Sequence, residues 1–100
     1  MALSVQQDTS YLGNDRWTWS VQLSGAPADL DDVDHVVYVL DPTFHDPVRV
    51  VHDRDSNFRL KSSTWGAFTI YVKIVRRDGH EESLEHNLVL FYPDGTPTPA

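Results

Sequence analysis

Two short segments of the chain bring an aromatic side chain together with hydroxyl groups. Phe44 lies in the segment 41–44, directly after an apolar run, and Trp65 lies in the segment 62–68, directly before another. Aromatic rings stack on flat groups and neighbouring hydroxyls hydrogen-bond a polar edge, so this combination suits non-covalent binding. We interpret the segments as candidate walls of a binding site. The alternative is that both rings plug the end of a hydrophobic core.

Four aspartates form an acidic cluster that could offer carboxylate ligands to calcium: Asp29, Asp31, Asp32 and Asp34. A calcium-binding loop needs oxygen ligands at its fifth and twelfth positions and a glycine at its sharp turn. Counted from Asp29, those ligand positions are Val33 and Leu40, and the turn has no glycine. The pattern instead indicates a solvated loop whose charges keep a sheet edge from pairing with neighbouring chains.

The five histidines show no spacing that would place two of them on one metal ion by local geometry: His35, His45, His52, His80 and His86. We expect them at surface or strand-packing positions and predict no metal site, but spacing carries no information on residues that converge only in the folded chain. The chain also has no cysteine, no Gly-x-Ser-x-Gly motif and no glycine-rich phosphate loop. We therefore expect neither enzymatic activity nor a cofactor.

The elements that must position these residues are strands, because apolar residues recur with a period of two. The clearest run places four large side chains on one face and small polar ones on the other: Trp17, Trp19, Val21 and Leu23. Further strands are predicted at about 3–9, 36–40, 48–51, 57–61 and 68–74, and in a last segment that carries Leu84, Leu88 and Leu90. Short strands of this number predict an all-β fold, an immunoglobulin-like antiparallel β-sandwich of about seven to eight strands.

Two further local signals concern a hairpin turn and the end of the domain. Asp78-Gly79 predicts a type I′ turn with two positive φ angles, which would join the strands on either side as a hairpin. Residues 93–100 hold three prolines and one glycine and have no periodicity. We predict one domain over residues 1–92, followed by a tail or linker over residues 93–100.

The charge balance narrows the class of partner. In 100 residues, 8 Lys+Arg face 15 Asp+Glu, for a net charge of −7. This sign disfavours direct binding of nucleic acid and favours a basic peptide or protein. No apolar run is long enough for a membrane span, and the absence of cysteine is typical of a reducing compartment. We expect no membrane partner and an intracellular protein, cytoplasmic in a prokaryote or nuclear in a eukaryote.

Several segments, in order and in spacing, carry a family resemblance: 19–25, 36–50, 58–60, 64–70 and 86–91. Together they resemble a YEATS domain, and the sequence is closer to the divergent prokaryotic group of that family. The resemblance implies an immunoglobulin fold that reads acylated lysine. It covers roughly residues 17 to 91.

The resemblance also implies roles for single residues. Five positions match the family pattern of the first loop: Leu40, Thr43, Phe44, Pro47 and Arg49. In the family, the hydroxyl at Thr43 accepts the N–H of the acyl amide, and the ring at Phe44 forms one wall of an aromatic sandwich.

The second loop, Thr64-Trp65-Gly66, corresponds to the other wall, where the backbone N–H of Trp65 is the expected donor to the acyl carbonyl. Phe68 matches an aromatic residue at the pocket floor. Asp41 departs from the family, because it stands where the readers have a histidine. A carboxylate there would favour a cation over a neutral acyl group.

The expected function is therefore that of a non-enzymatic module that reads acetyl- or crotonyl-type lysine in a basic peptide or protein. The alternative is an immunoglobulin-like structural or protein-interaction domain of a larger signalling or defence protein that binds no acylated lysine. An open channel between Phe44 and Trp65 would favour the reader, and two rings packed shut would favour the alternative.

Overall fold

A computed structural model describes residues 3–97, which form two antiparallel sheets and one short helix. In chain order the elements are β1 (Ser4–Gly13), β2 (Arg16–Ser24), α1 (Pro27–Asp31), β3 (Val33–Val39), β4 (Val48–Val51), β5 (Leu60–Thr64), β6 (Thr69–Arg76) and β7 (Glu81–Asn87). The three-stranded sheet has the order β1-β2-β5, and the four-stranded sheet has the order β4-β3-β6-β7. The predicted immunoglobulin-like sandwich is confirmed.

The core lies between the two sheets and follows from the alternation in the sequence. The inward residues of β2 are buried as predicted, and Trp19 is only 2% exposed. The facing sheet contributes six fully buried side chains: Val33, Val36, Tyr38, Ile70, Val72 and Ile74. Leu90 joins them from the segment that follows β7. The hydroxyl of Tyr38 donates a hydrogen bond of 2.6 Å to the carbonyl of Phe58, so the one polar atom of this buried ring is satisfied. Burial raises the pKa of Tyr38 well above its usual range, so the ring stays neutral.

Three predicted elements differ from the structure. The first strand continues past Thr9 to Gly13, because its residues pair with β2 along its whole length. The strand predicted to begin at Asn57 is wrong at its start, since Asn57 and Phe58 have positive φ angles of 59° and 60° and β5 begins at Leu60. The solvated acidic loop is also wrong in part, because Pro27–Asp31 form a helical turn and Asp29 is buried.

The hairpin between β6 and β7 is confirmed, but its turn type is not the predicted one. Of the two turn residues only Gly79 has a positive φ, 89°. The N–H of Gly79 donates to the carbonyl of Arg76 at 2.9 Å, and the N–H of Arg76 donates to the carbonyl of His80 at 2.8 Å. This is a three-residue loop that ends in a glycine bulge. Two adjacent positive φ angles occur instead between β1 and β2, at Asn14 and Asp15.

Replacement of Gly79 by alanine should lower the free energy of unfolding by about 1 kcal/mol, because a Cβ resists a positive φ. No atom lies within 4 Å of the position that a Cβ would take at Gly79, so the cost is conformational. Gly66→Ala is the matched control, because its Cβ would also meet open space and its φ is not in the left-handed region. Chemical denaturation of both variants measures the difference, and equal midpoints would contradict the assignment.

The ends of the chain bear on the predicted domain boundary. Residues 93–97 continue past it as a tight turn, in which the N–H of Tyr92 donates to the carbonyl of Thr96 at 2.9 Å. The outer ends of the predicted domain and tail, residues 1–2 and 98–100, lie outside the described residues, and the boundary at 92 stays a prediction. Within residues 3–97, no helix is long and apolar enough to cross a membrane.

Candidate ligand-binding cleft

The loop between β3 and β4 and the link between β5 and β6 meet at one end of the sandwich and enclose an open cleft of about 330 Å³. All seven predicted site residues line it: Asp41, Thr43, Phe44, Thr64, Trp65, Gly66 and Phe68. Ser63 and Ala67 complete the lining. The structure thus brings the predicted residues together, and their role in binding stays a prediction.

In the first loop, Asp41 braces the backbone. Its Oδ1 accepts a hydrogen bond from the N–H of Thr43 at 3.0 Å and another from the hydroxyl of Thr43 at 2.8 Å. These two bonds hold the pKa of the Asp41 carboxyl below its usual range, the backbone bond having the larger effect. The single hydroxyl hydrogen of Thr43 is donated to Asp41. The oxygen of that hydroxyl can therefore only accept a hydrogen bond from a ligand.

In the second loop, Thr64 holds the chain in a tight turn. Its buried Oγ1 donates to the carbonyl of Gly66 at 3.0 Å and lies 3.5 Å from the N–H of the same residue. The residue between them, Trp65, projects outward with 67% of its surface exposed. The turn that the Thr64 hydroxyl stabilises therefore exposes the ring of Trp65 to solvent.

The floor of the cleft is aromatic and rests on the core. The rings of Phe44 and Phe68 lie 5.0 Å apart between centroids. Both make edge contacts with the ring of Trp19, at 6.4 Å from Phe44 and 5.7 Å from Phe68. Phe44 is therefore half-buried against the core, whereas Trp65 is exposed and does not plug it.

Arg16 is a neighbour of the cleft that the sequence interpretation missed. Its guanidinium carbon lies 4.5 Å from the centroid of the Trp65 ring, a cation–π distance. Trp17 pairs with Thr64 across β2 and β5, so the antiparallel register places Arg16 opposite Trp65. This signal becomes visible only when the strand pairing is known. Arg16 covers one face of the indole.

The acidic cluster does not converge on one point. Asp31 accepts a hydrogen bond from Nε of Arg54 at 2.8 Å, and Asp32 accepts one from Nη1 of the buried Arg76 at 3.0 Å. Two of the four carboxylates are therefore engaged by different arginines, as expected for structural ion pairs and not for a calcium loop.

The histidines contain one convergence that spacing did not reveal. The rings of His35 and His52 lie 5.2 Å apart between centroids, although 16 residues separate them in the chain. Asp34 is adjacent, with Oδ2 2.7 Å from Nδ1 of His35. This cluster lies outside the lining of the cleft.

The two antiparallel sheets define an immunoglobulin-like domain. The cleft between the loops at one end of the sandwich is its candidate ligand-binding site. The family model described as the prokaryotic YEATS domain matches residues 17–89. The chain belongs to this family, whose domains are reader modules.

A curated protein is similar to this chain in sequence. Over 76 residues the chain is 36% identical to the transcription initiation factor TFIID subunit 14 of Schizosaccharomyces pombe; the match covers 70% of this chain and 31% of that protein. The chain thus spans about a third of its curated relative.

Solved structures of the yeast protein Yaf9 share the fold. The Yaf9 YEATS domain bound to H3K27ac superposes with a TM-score of 0.67 at 17% identity, covering 91% of this chain and 76% of that one. The same domain recognising an H3K122suc peptide has a TM-score of 0.63 at 20% identity, covering 86% and 67%.

Proposed function

We propose that this domain is a non-enzymatic reader of acylated lysine, of the acetyl or crotonyl type, and that the cleft between the two loops is its binding site. The observation that carries the proposal is the exposed ring of Trp65 above a cleft that also contains the oriented hydroxyl of Thr43. The YEATS domain of Yaf9 has been solved bound to H3K27ac and recognising an H3K122suc peptide.

The chemistry of the cleft suits a neutral amide better than an ammonium. Acylation removes the lysine charge and leaves a flat group that loses little on leaving water. Its N–H would donate to the hydroxyl of Thr43, and its carbonyl would accept from the backbone N–H of Trp65. The acyl plane would stack on the face of the Trp65 ring opposite Arg16, with Phe44 and Phe68 below it.

Asp41 has a structural role that is compatible with this ligand. Its Oδ1 already accepts two hydrogen bonds from Thr43, so the carboxylate is engaged in shaping the loop. We therefore assign Asp41 as the positioning residue that turns Thr43 into an acceptor. A cation-binding role would instead need the charge of the carboxylate itself.

The partner is a basic peptide or protein that carries the modified lysine. With a net charge of −7, the domain attracts positively charged flanking residues mainly by raising the association rate, and this effect weakens with added salt. One side chain in one cleft buries little surface, so we expect dissociation constants from about micromolar to millimolar.

The alternative, an interaction domain without acyl-lysine binding, is favoured by one observation. Phe44 packs on Phe68 and Trp19, so it is committed to the core and offers less of its ring to a ligand. The two functions differ in whether the modification itself changes affinity.

The test is a calorimetric titration of one basic peptide in four forms: unmodified, acetylated, crotonylated and trimethylated at a single lysine. We expect the acylated forms to bind at least about tenfold more tightly than the unmodified form, because only they avoid desolvation of an ammonium. Equal affinities for all four forms would contradict the reader function and favour the interaction domain.

Asp41→Asn separates the two roles of the carboxylate in the same titration. The asparagine oxygen can accept the same two hydrogen bonds from Thr43 while the charge is removed. We expect acyl binding to be retained in this variant. Preferential binding of the trimethylated peptide by the wild type, lost in Asp41→Asn, would contradict the acyl proposal and indicate a cation site.

A further inference from the structure

The outer face of the four-stranded sheet carries a compact group of metal-ligating side chains, separate from the cleft. One ligand atom from each of Asp34, His35 and His52 lies within 4.8 Å of the other two. Two imidazoles and a carboxylate are a common ligand set for a divalent transition metal, with zinc the typical case. The geometry points to a mononuclear zinc-binding site at these three residues.

The strand register explains why the two histidines meet. Val36 pairs with Val51 in the antiparallel ladder of β3 and β4. The next position outward along the ladder therefore sets His35 opposite His52. The inward side chains of Val36 and Tyr38 are fully buried, so alternation turns His35 to the outer face. The rings of the two histidines end 5.2 Å apart, with their planes at 35°.

A β-bulge brings the carboxylate to the same place. Adjacent residues of a regular strand point to opposite faces, which would separate Asp34 from His35. Against β6, however, Val33 pairs with Arg76 and His35 pairs with Val75, so Asp34 is an extra residue in the ladder. Bulges of this kind redirect a side chain. The carboxylate of Asp34 reaches Nδ1 of His35 at 2.7 Å.

The distances suit zinc after small side-chain movements. Zinc binds imidazole nitrogen and carboxylate oxygen at about 2.0–2.2 Å, which sets tetrahedral ligands roughly 3.3 Å apart. The pair of Asp34 and His35, now at 2.7 Å, would have to open by about half an ångström, and the widest separation in the cluster, at most 4.8 Å, would have to close by up to about 1.5 Å. None of the three side chains is buried. Three protein ligands leave a fourth position for water.

The charges around the cluster allow a cation. Arg77 lies near enough to interact electrostatically with the carboxylate of Asp34. Its Nε donates a hydrogen bond of 2.8 Å to the backbone carbonyl of Asp31. The domain as a whole has a net charge of −7. The net negative charge of the domain attracts a divalent ion at long range, whereas the positive charge of Arg77 opposes it locally.

The position of the site gives it a structural consequence. β4 is the edge strand of its sheet and is only four residues long. The histidines close the base of the β3–β4 hairpin, and the loop at the tip of the same hairpin lines the cleft. A zinc ion would fix the short edge strand to β3 and so stabilise the hairpin that carries the loop. This inference does not depend on acyl-lysine binding.

The experiment is titration of the untagged, chelator-treated protein with zinc chloride, followed by calorimetry and thermal melting. We expect one zinc ion per chain and a rise in Tm of at least about 10 °C when zinc exceeds its Kd a hundredfold. Cobalt(II) in place of zinc should give the intense visible absorption of a four-coordinate site.

His35→Ala and His52→Ala should each weaken zinc binding at least tenfold. His45→Ala is the matched control, because His45 also has a neighbouring aspartate, Asp46, at 3.5 Å but is 97% exposed. It should bind zinc like the wild type. The melting temperatures without metal establish that each variant is folded. Wild-type binding no tighter than that of the two cluster variants, or a loss of binding in His45→Ala instead, would overturn the site.

Discussion

Trp19→Ala should lower the free energy of unfolding by about 3–5 kcal/mol, which is a large share of the stability of a small domain. Trp19 is 2% exposed and lies under the rings of Phe44 and Phe68. Truncation to alanine would leave a cavity that the two strands beside it can fill only in part. Chemical denaturation or thermal melting measures the loss.

Two further variants show whether this loss comes from packing. Trp65→Ala removes the same side chain from a site that is 67% exposed, and it should change stability by less than about 1 kcal/mol. Trp19→Phe should cost much less than Trp19→Ala, because it keeps most of the ring. It also removes Nε1 of Trp19, a buried donor that has no hydrogen-bond partner within residues 3–97. A larger loss for Trp65→Ala than for Trp19→Ala would make Trp65 a core residue and contradict the cleft.

The core was predictable from the sequence because strand alternation is a local signal. Trp17 and Trp19 are separated by one small polar residue, and any sandwich that buries one of them buries both. The walls of the cleft were predictable for a different reason. Phe44 and Trp65 lie in loops that directly follow or precede strong strands, and family resemblance placed the loops at the same end of the sandwich.

Contacts that depend on strand register were not predictable in this way. Arg16 reaches Trp65, and His35 reaches His52, because two antiparallel ladders continue by one residue beyond their last pair. A shift of one residue would turn each side chain to the opposite face, and nothing local in the sequence sets the register. The bulge that redirects Asp34 is likewise a property of pairing with β6.

Backbone conformation in the turns was the second property that the sequence did not predict correctly. Asp78-Gly79 is a strong signal for two positive φ angles, yet Arg77 joins the loop and only Gly79 has one. Both turns reverse the chain and suit the twist of the flanking strands, so the hairpin was correct while its turn type was not. Asn57 and Phe58 show the same effect, because a left-handed pair delays the start of β5.

Trp65→Ala should weaken binding of an acetyl-lysine peptide by at least about thirtyfold, because an exposed aromatic anchor supplies about 2 kcal/mol or more in a site that buries so little else. Its exposed position makes the loss one of contact and not of folding, which the melting temperature of the variant establishes. Calorimetry of wild type and variant against the same peptide gives the ratio.

The acyl group provides a second readout of stacking. A planar crotonyl chain offers a π face that an acetyl group lacks, so the wild type should bind the crotonyl peptide more tightly than the acetyl peptide. Trp65→Phe should keep this preference and Trp65→Ala should remove it.

Arg16→Gln supplies the matched control, because it removes the cation from one face of the indole and leaves Trp65 itself in place. We expect it to reduce acyl-lysine affinity only a few-fold, through looser orientation of the ring. Undiminished binding of the acetyl peptide by Trp65→Ala, with the crotonyl preference intact, would mean that the ligand does not stack on this ring, and the cleft would lose its principal wall.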